Sequence, residues 1–218
     1  MKAFFKKIVV SILTLEARLL IWRFIPYVIM VTGSVGKTSS KNSIYYALKS
    51  FLEGVNTNVK SYNTEIGVPL TILNLNNAWN NPVLWLGNIF LGFIKTMFSV
   101  TFPKYLVLEV GADREGDLVD LLMWIKPDMV VVTRLPEISS HVANYSSPES
   151  VVREESFPAL KLKREGILVL NYDDEKALSL RHDFGGRSIT YGLTPRADVY
   201  ALADEIVYGV VDGQRIPN

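Results

Sequence analysis

The sequence predicts an α/β protein built on a doubly wound, mostly parallel sheet flanked by helices. Three observations lead there. Val28-Ile29-Met30-Val31-Thr32-Gly33-Ser34-Val35-Gly36-Lys37-Thr38-Ser39-Ser40 runs from a strand-like apolar segment through a glycine turn into a helical pattern. Further apolar runs at Tyr105–Ala112, Asp128–Thr133 and Gly166–Leu170 alternate with helical stretches, the order that gives parallel pairing through crossover helices. A chain of 218 residues, 49% hydrophobic and 21% charged, has the composition of a globular protein able to bury a core.

Taken in order, residues 1–25 open with Lys2, Lys6 and Lys7 ahead of an apolar stretch. Glu16, Arg18 and Arg23 interrupt it, and no small-residue cleavage site follows, so neither a signal peptide nor a membrane span is expected. Ile8, Ile12, Leu15, Leu19 and Trp22 share one helical stripe, which predicts an amphipathic helix docking on the rest through that stripe. Given the basic start, contact with a membrane surface is the less favoured alternative. Residues 26–218 are expected to form the main domain.

Within that domain, Gly33 to Ser39 reads as a phosphate-binding loop of the P-loop NTPase kind. Gly33 and Gly36 permit the tight turn that aims successive N–H groups at an anion, and the following helix adds its own unpaired N–H groups. Lys37 is placed to reach phosphate and the Thr38 hydroxyl to ligate Mg²⁺. The first glycine of the general eight-residue pattern falls on Val31, so the match is a variant one. Ile44, Ala47, Leu48 and Phe51 continue the helix after the loop. Gly67 and Pro69 mark a turn opening a short helix through Leu73. Pro82 to Phe102 is rich in Leu, Ile, Phe and Trp but diluted by Asn88, Lys95 and two glycines, which predicts a packed or surface-lying helix. Tyr105–Ala112 is a buried-type strand with Glu109 near its C-terminal end, where ligands of open α/β sheets bind. Ser147-Pro148-Glu149 reads as the cap and first turn of a helix through Leu162, and Asp173–Leu180 as a short helix. Ala197–Asn218 has strand character.

Composition also sets limits. A net charge of +1 argues against a dedicated nucleic-acid binder, and the absence of cysteine excludes disulfides and thiolate metal sites. The absence of cysteine fits a reducing cytoplasm.

Five segments in order resemble the central ATP-binding domain of the Mur ligase family, in its MurF type, the ligase adding D-alanyl-D-alanine to the UDP-muramoyl peptide. They are Thr32–Thr38, Asn63–Thr71, Leu108–Asp117 with its Glu-x-Gly-Ala stretch, Pro127–Thr133 followed by His141, and Asn171–Asp174 with Tyr191-Gly192 and Ala197–Val199. The resemblance implies transfer of the ATP γ-phosphate to a carboxylate, then attack of an amine on the acyl phosphate. By position it makes Gly33, Ser34, Val35, Gly36, Lys37, Thr38 and Ser39 the nucleotide loop. Lys37, Glu109 and His141 take the catalytic places, Thr38 and Glu109 hold one Mg²⁺, and His141 helps hold a second. Asn63, Thr64 and Arg114 face the nucleotide-sugar substrate.

The chain departs from that family pattern in three respects. The helix lysine whose carbamate helps bridge the metals is replaced by Glu155, roughly 4 Å shorter in reach. Glu155 is therefore expected either to fall short of bridging two metals or to be a solvated helix residue. Arg134 stands where the family pattern has Asn after Thr133. The family's usual N-terminal domain and its parts beyond residue 218 have no counterpart, so this chain alone is expected to be inactive as a ligase, with a partner chain or continuation supplying the rest. The alternatives are a nucleotide-binding module without ligase activity of its own and a folylpolyglutamate-type ligase.

Overall fold

The computed structural model describes residues 3–58, 62–112, 114–135, 145–201, 208–211 and 214–217. Strand β1 (Tyr27–Thr32) is buried from Val28 onward, as its unbroken apolar run requires of a strand covered on both faces. It lies between β3 (Tyr105–Glu109) and β4 (Met129–Val132), with β2 (Val55–Thr57) at one edge. Beyond β4 follow β5 (Ile167–Asn171), β6 (Arg187–Gly192) and β7 (Val199–Tyr200), giving the order β2-β3-β1-β4-β5-β6-β7. Every pairing in this sheet is parallel. The expected doubly wound parallel sheet is what forms. Tyr208–Val211 (β8) and Gln214–Pro217 (β9) make a separate antiparallel hairpin.

Helices cover both faces. On one, Ile44 and Leu48 of α2 (Lys37–Phe51) pack on Ile29, Val31, Val107 and Val131. Farther along this face, Met129, Val169 and Tyr191 join Ile44 and serines of α2 around an open apolar cavity of about 470 Å³. The opposite face carries the main core, in which α1 (Ala3–Phe24), α3 (Gly67–Ile72), α5 (Asp117–Leu122), α6 (Pro148–Leu160) and α7 (Glu175–Asp183) bury side chains against Val28, Met30, Leu106, Leu108, Val130 and Leu168. Ser147 and Ser150 form a reciprocal cap at the start of α6, and Asp174 caps α7 by accepting from Ala177 N.

The N-terminal helix docks by a different stripe from the one its largest side chains suggest. Val9, Leu13, Ala17 and Leu20 are buried, whereas Ile8, Leu15, Leu19 and Trp22 are exposed. Both stripes are apolar and both keep helical spacing. The inward one includes the small Ala17, and it brings Glu16 down into the contact with α4 (Pro82–Phe98). Gly92 makes that possible, because a Cβ there would collide with the Glu16 carboxylate. Helix α4 lies across α1 as a surface helix. Asn81 caps its start, and Lys95 fixes its other end by donating to Leu73 O at 2.8 Å and Asn74 O at 2.9 Å.

Glu16 is buried, and its Oε2 has no hydrogen-bond partner among the described residues. Burial pushes its pKa from an ordinary 4.5 up to about 7. Between those values the unfolded chain ionises Glu16 while the folded chain keeps it protonated. Stability therefore falls as pH rises through this window, by on the order of 3 kcal/mol in all. Glu16→Gln should remove that dependence. In urea denaturation at pH 5 and pH 8, the variant is expected to gain on the wild type by 1 kcal/mol or more at the higher pH. Parallel profiles would show that Glu16 stays ionised in the fold.

Candidate phosphate-binding site

The register of the sheet sets the site. Val31 lies opposite Glu109 and Thr32 opposite Val132, so the loop leaving β1 starts beside the carboxylate that ends β3. Gly33 has φ 121°, and a Cβ there would overlap Thr133 Oγ1 and crowd Arg134 O. Two bonds clamp this passage: Ser34 N donates to Arg134 O at 2.7 Å, and Thr133 Oγ1 to Thr32 O at 3.0 Å. Gly36, at φ 84°, turns the chain into α2 without a side-chain cap, which leaves first-turn N–H groups for an anion. Val35, Thr38 and Ser39 are exposed around that helix start, and Gly33 is buried beneath it.

Lys37 bends back over the loop. Its Nζ donates to Gly33 O and lies 3.9 Å from Glu155 Oε1. Gly111 sits close by, since a Cβ there would stand 3.5 Å from Lys37 Cε and 3.4 Å from Asn63 Nδ2. The loop, the Asn63 segment and the end of β3 thus meet around one ammonium group.

Glu109 is buried, and its Oε2 has no hydrogen-bond partner among the described residues. Asn63 Nδ2 reaches Oε1 at a long 3.5 Å. The Glu109 backbone is held on both sides by Asn58, whose Oδ1 accepts from Glu109 N at 2.9 Å and whose Nδ2 donates to Glu109 O at 2.9 Å. Lys41, one turn after Lys37 on α2, donates in turn to Asn58 O at 2.8 Å. Burial lowers the Lys41 pKa and the Glu109 charge opposes that shift. Asn58 and Lys41 escaped the sequence reading. The available signal was a lysine one turn beyond the loop lysine on the same helix, and nothing marked Asn58.

Glu155 is not a solvated helix residue. It is buried, and its Oε2 accepts from Ser34 Oγ while its backbone oxygen accepts from Thr32 Oγ1 at 2.6 Å. The reason lies in α6, which packs against β1 and carries this turn to the loop. Its neighbour Glu154 accepts from Leu118 N at 2.8 Å and so helps hold the start of α5.

Of the remaining candidates, Thr64 is half-buried and accepts from Val68 N through its carbonyl at 3.1 Å. Arg114 is exposed beyond β3, with its backbone N–H donating to Asp117 Oδ2 at 2.9 Å. His141 lies outside the described residues. The structure therefore brings together Ser34, Lys37, Asn63, Glu109 and Glu155, with Thr38 at the rim.

The Mur ligase middle domain family matches residues 89–216, more than half of the chain. A UDP-N-acetylmuramoyl-tripeptide–D-alanyl-D-alanine ligase from Buchnera aphidicola subsp. Baizongia pistaciae is 30% identical over 146 residues, 67% of this chain and 26% of the relative. Among solved structures, MurF from Acinetobacter baumannii superposes with TM-score 0.67 at 17% identity, over 92% of this chain and 38% of that one. MurF from Thermotoga maritima in complex with ADP does so with TM-score 0.62 at 25% identity, over 85% and 36%. The chain spans about a quarter to a third of the length of the curated relatives it matches. Sheet order, loop and family match agree: the chain belongs to the Mur ligase family and carries its middle domain.

Proposed function

We propose that residues 26–218 form a Mg·ATP-binding domain of a MurF-like amide ligase, with residues 1–25 as a helical addition, working in the cytoplasm. The observation that carries the reading is the convergence of an uncapped helix start, Lys37 and the unpartnered buried oxygen of Glu109 at the mouth of one loop.

The residues present fit a magnesium ion. An anionic oxygen with no partner is what a divalent cation would satisfy, and Thr38 supplies a hydroxyl at the helix start. Among the described residues no cluster of three His, Asp or Glu side chains forms, so such an ion would draw its other ligands from phosphate and water, as Mg²⁺ commonly does. When bound, the ion neutralises phosphate charge. The chain's own groups would do the positioning: loop N–H groups would cradle phosphate, and Lys37, which donates to Gly33 O, would hold the phosphate charge. Asn58 and Lys41 keep Glu109 at its station. The acceptor carboxylate, in this reading that of a UDP-muramoyl peptide, approaches past Asn63, Thr64 and Arg114, and the family resemblance gives His141 the role of a ligand to a second metal. The further strands and helices of the parent enzyme would cover the open apolar face beside α2, whether they come from a continuation or from a partner chain.

A second reading, a nucleotide-binding module without ligase activity of its own, is favoured by one observation. Glu155 stands at the carbamyl-lysine position, buried against Ser34 and near Lys37. A carboxylate there opposes phosphate charge instead of bridging metals.

Mg·ATP at a hundredfold excess over Kd is expected to stabilise the chain by about 2.7 kcal/mol, a melting shift of roughly 5–10 °C at this size. Lys37→Ala should lose most of that shift, and an equal response from both proteins would remove the nucleotide site from this loop. Isothermal titration separates the two carboxylates. Glu155→Gln is expected to tighten Mg-free ATP about threefold or more, by removing a negative charge from the cradle. Unchanged or weaker binding would show that Glu155 supports the loop more than it repels the nucleotide.

A further inference from the structure

The outermost layer of the molecule, α1 with α4, is apolar where it meets solvent and cationic at its edges. On α4, Val83, Leu84, Leu86, Phe90, Leu91, Phe93, Met97 and Phe98 are exposed, with Phe90 at 64% and Phe98 at 69%. The buried α4 side chains, Trp85 and Thr96, share the face that turns to α1 with Gly92. The exposed α1 stripe adjoins this surface. At roughly 100° per residue, Ile8, Leu15, Leu19 and Trp22 flank the Glu16–Arg23 edge on which α4 rests, and Trp22 is 78% exposed. Exposed Lys7 and Arg18 follow on the far side of the stripe.

Charge is sorted in the same way. Residues 3–26 and 74–104 carry six cationic side chains, Lys6, Lys7, Arg18, Arg23, Lys95 and Lys104, and a single acidic one, Glu16. Glu16 is buried between the two helices. The rest of the chain holds 17 basic and 21 acidic residues, so the net charge of +1 conceals a basic apolar layer on an acidic body. No helix among the described residues is long and apolar enough to cross a membrane. A two-helix surface with exposed aromatics and a cationic rim, on which Lys6 is already ion-paired to the exposed Glu65 at 2.7 Å, still offers Lys7 and Arg18 to a sheet of anionic headgroups above acyl chains.

We propose that the α1–α4 layer docks the protein on an anionic lipid surface. Both helices lie in the plane of the interface, Trp22, Phe90, Phe93 and Met97 enter the headgroup–acyl boundary, and Lys7 and Arg18 meet the phosphates.

Vesicle flotation of the 218-residue chain tests this. The protein is expected to float with phosphatidylglycerol–phosphatidylcholine vesicles, to be released by high salt, and to stay behind with phosphatidylcholine alone. Its tryptophan emission should move to the blue on binding. Lys7→Glu with Arg18→Glu should weaken partitioning by about fivefold or more per residue, the weight of one basic side chain at an anionic surface. Phe90→Asp with Phe93→Asp should abolish it while keeping the wild-type circular dichroism. Flotation equal on both vesicle types would overturn the electrostatic part. Failure to float on either would overturn the proposal, as would a dimer in size-exclusion chromatography that Phe90→Asp with Phe93→Asp turns monomeric, because the face would then belong to a second copy.

Discussion

Parallel pairing of β1 between β3 and β4 is the constraint on which the rest of the structure depends. It is set by three apolar strands that have no polar face to offer water, so both faces must be covered and the register is fixed from both sides. Once Val31 stands opposite Glu109 and Thr32 opposite Val132, the loop at Gly33 can leave only along the Thr133–Arg134 backbone. A one-residue slip would turn Glu109 to the other face of β3 and take the carboxylate away from the loop.

The buried polar groups around this junction extend the same logic. Glu109 is kept in a low-dielectric position by Asn58 binding its backbone, and Lys41 holds Asn58. A carboxylate oxygen left without a partner is costly to bury. Here it sits where a divalent cation would offset that cost. Glu155 contributes from the other side, through a helix that also secures the end of β1 by the Thr32 hydroxyl. Loop, strand end and helix are therefore coupled, and a change at Glu155 reaches both Lys37 and the sheet.

Much of this was legible in the sequence because it is local. The apolar runs of β1, β3, β4 and β5, the glycine turn before Lys37 and the Ser147 cap each declare themselves within a few residues. What escaped is what depends on contact across the chain. Two apolar stripes on α1 were equivalent in spacing, and only packing against α4, where Gly92 leaves room for Glu16, chose the stripe through Val9, Leu13, Ala17 and Leu20. Asn58 carries no local mark, since its role is to bond a strand 51 residues away. The resemblance marked Glu155 as the residue at the lysine position, but its burial against Ser34 and its approach to Lys37 depend on α6 facing the loop, which no local pattern in α6 declares.

In the proposed function the Gly33–Ser39 loop and Glu109 would together hold a divalent cation with its nucleotide. Manganese in place of magnesium makes that visible by electron paramagnetic resonance. In the wild type, adding the chain to Mn·ATP should replace the spectrum of the free chelate by that of a protein-bound ion at one equivalent, and Glu109→Ala should weaken metal retention by about tenfold or more while the nucleotide still binds. Equal metal retention in the two proteins would contradict the account.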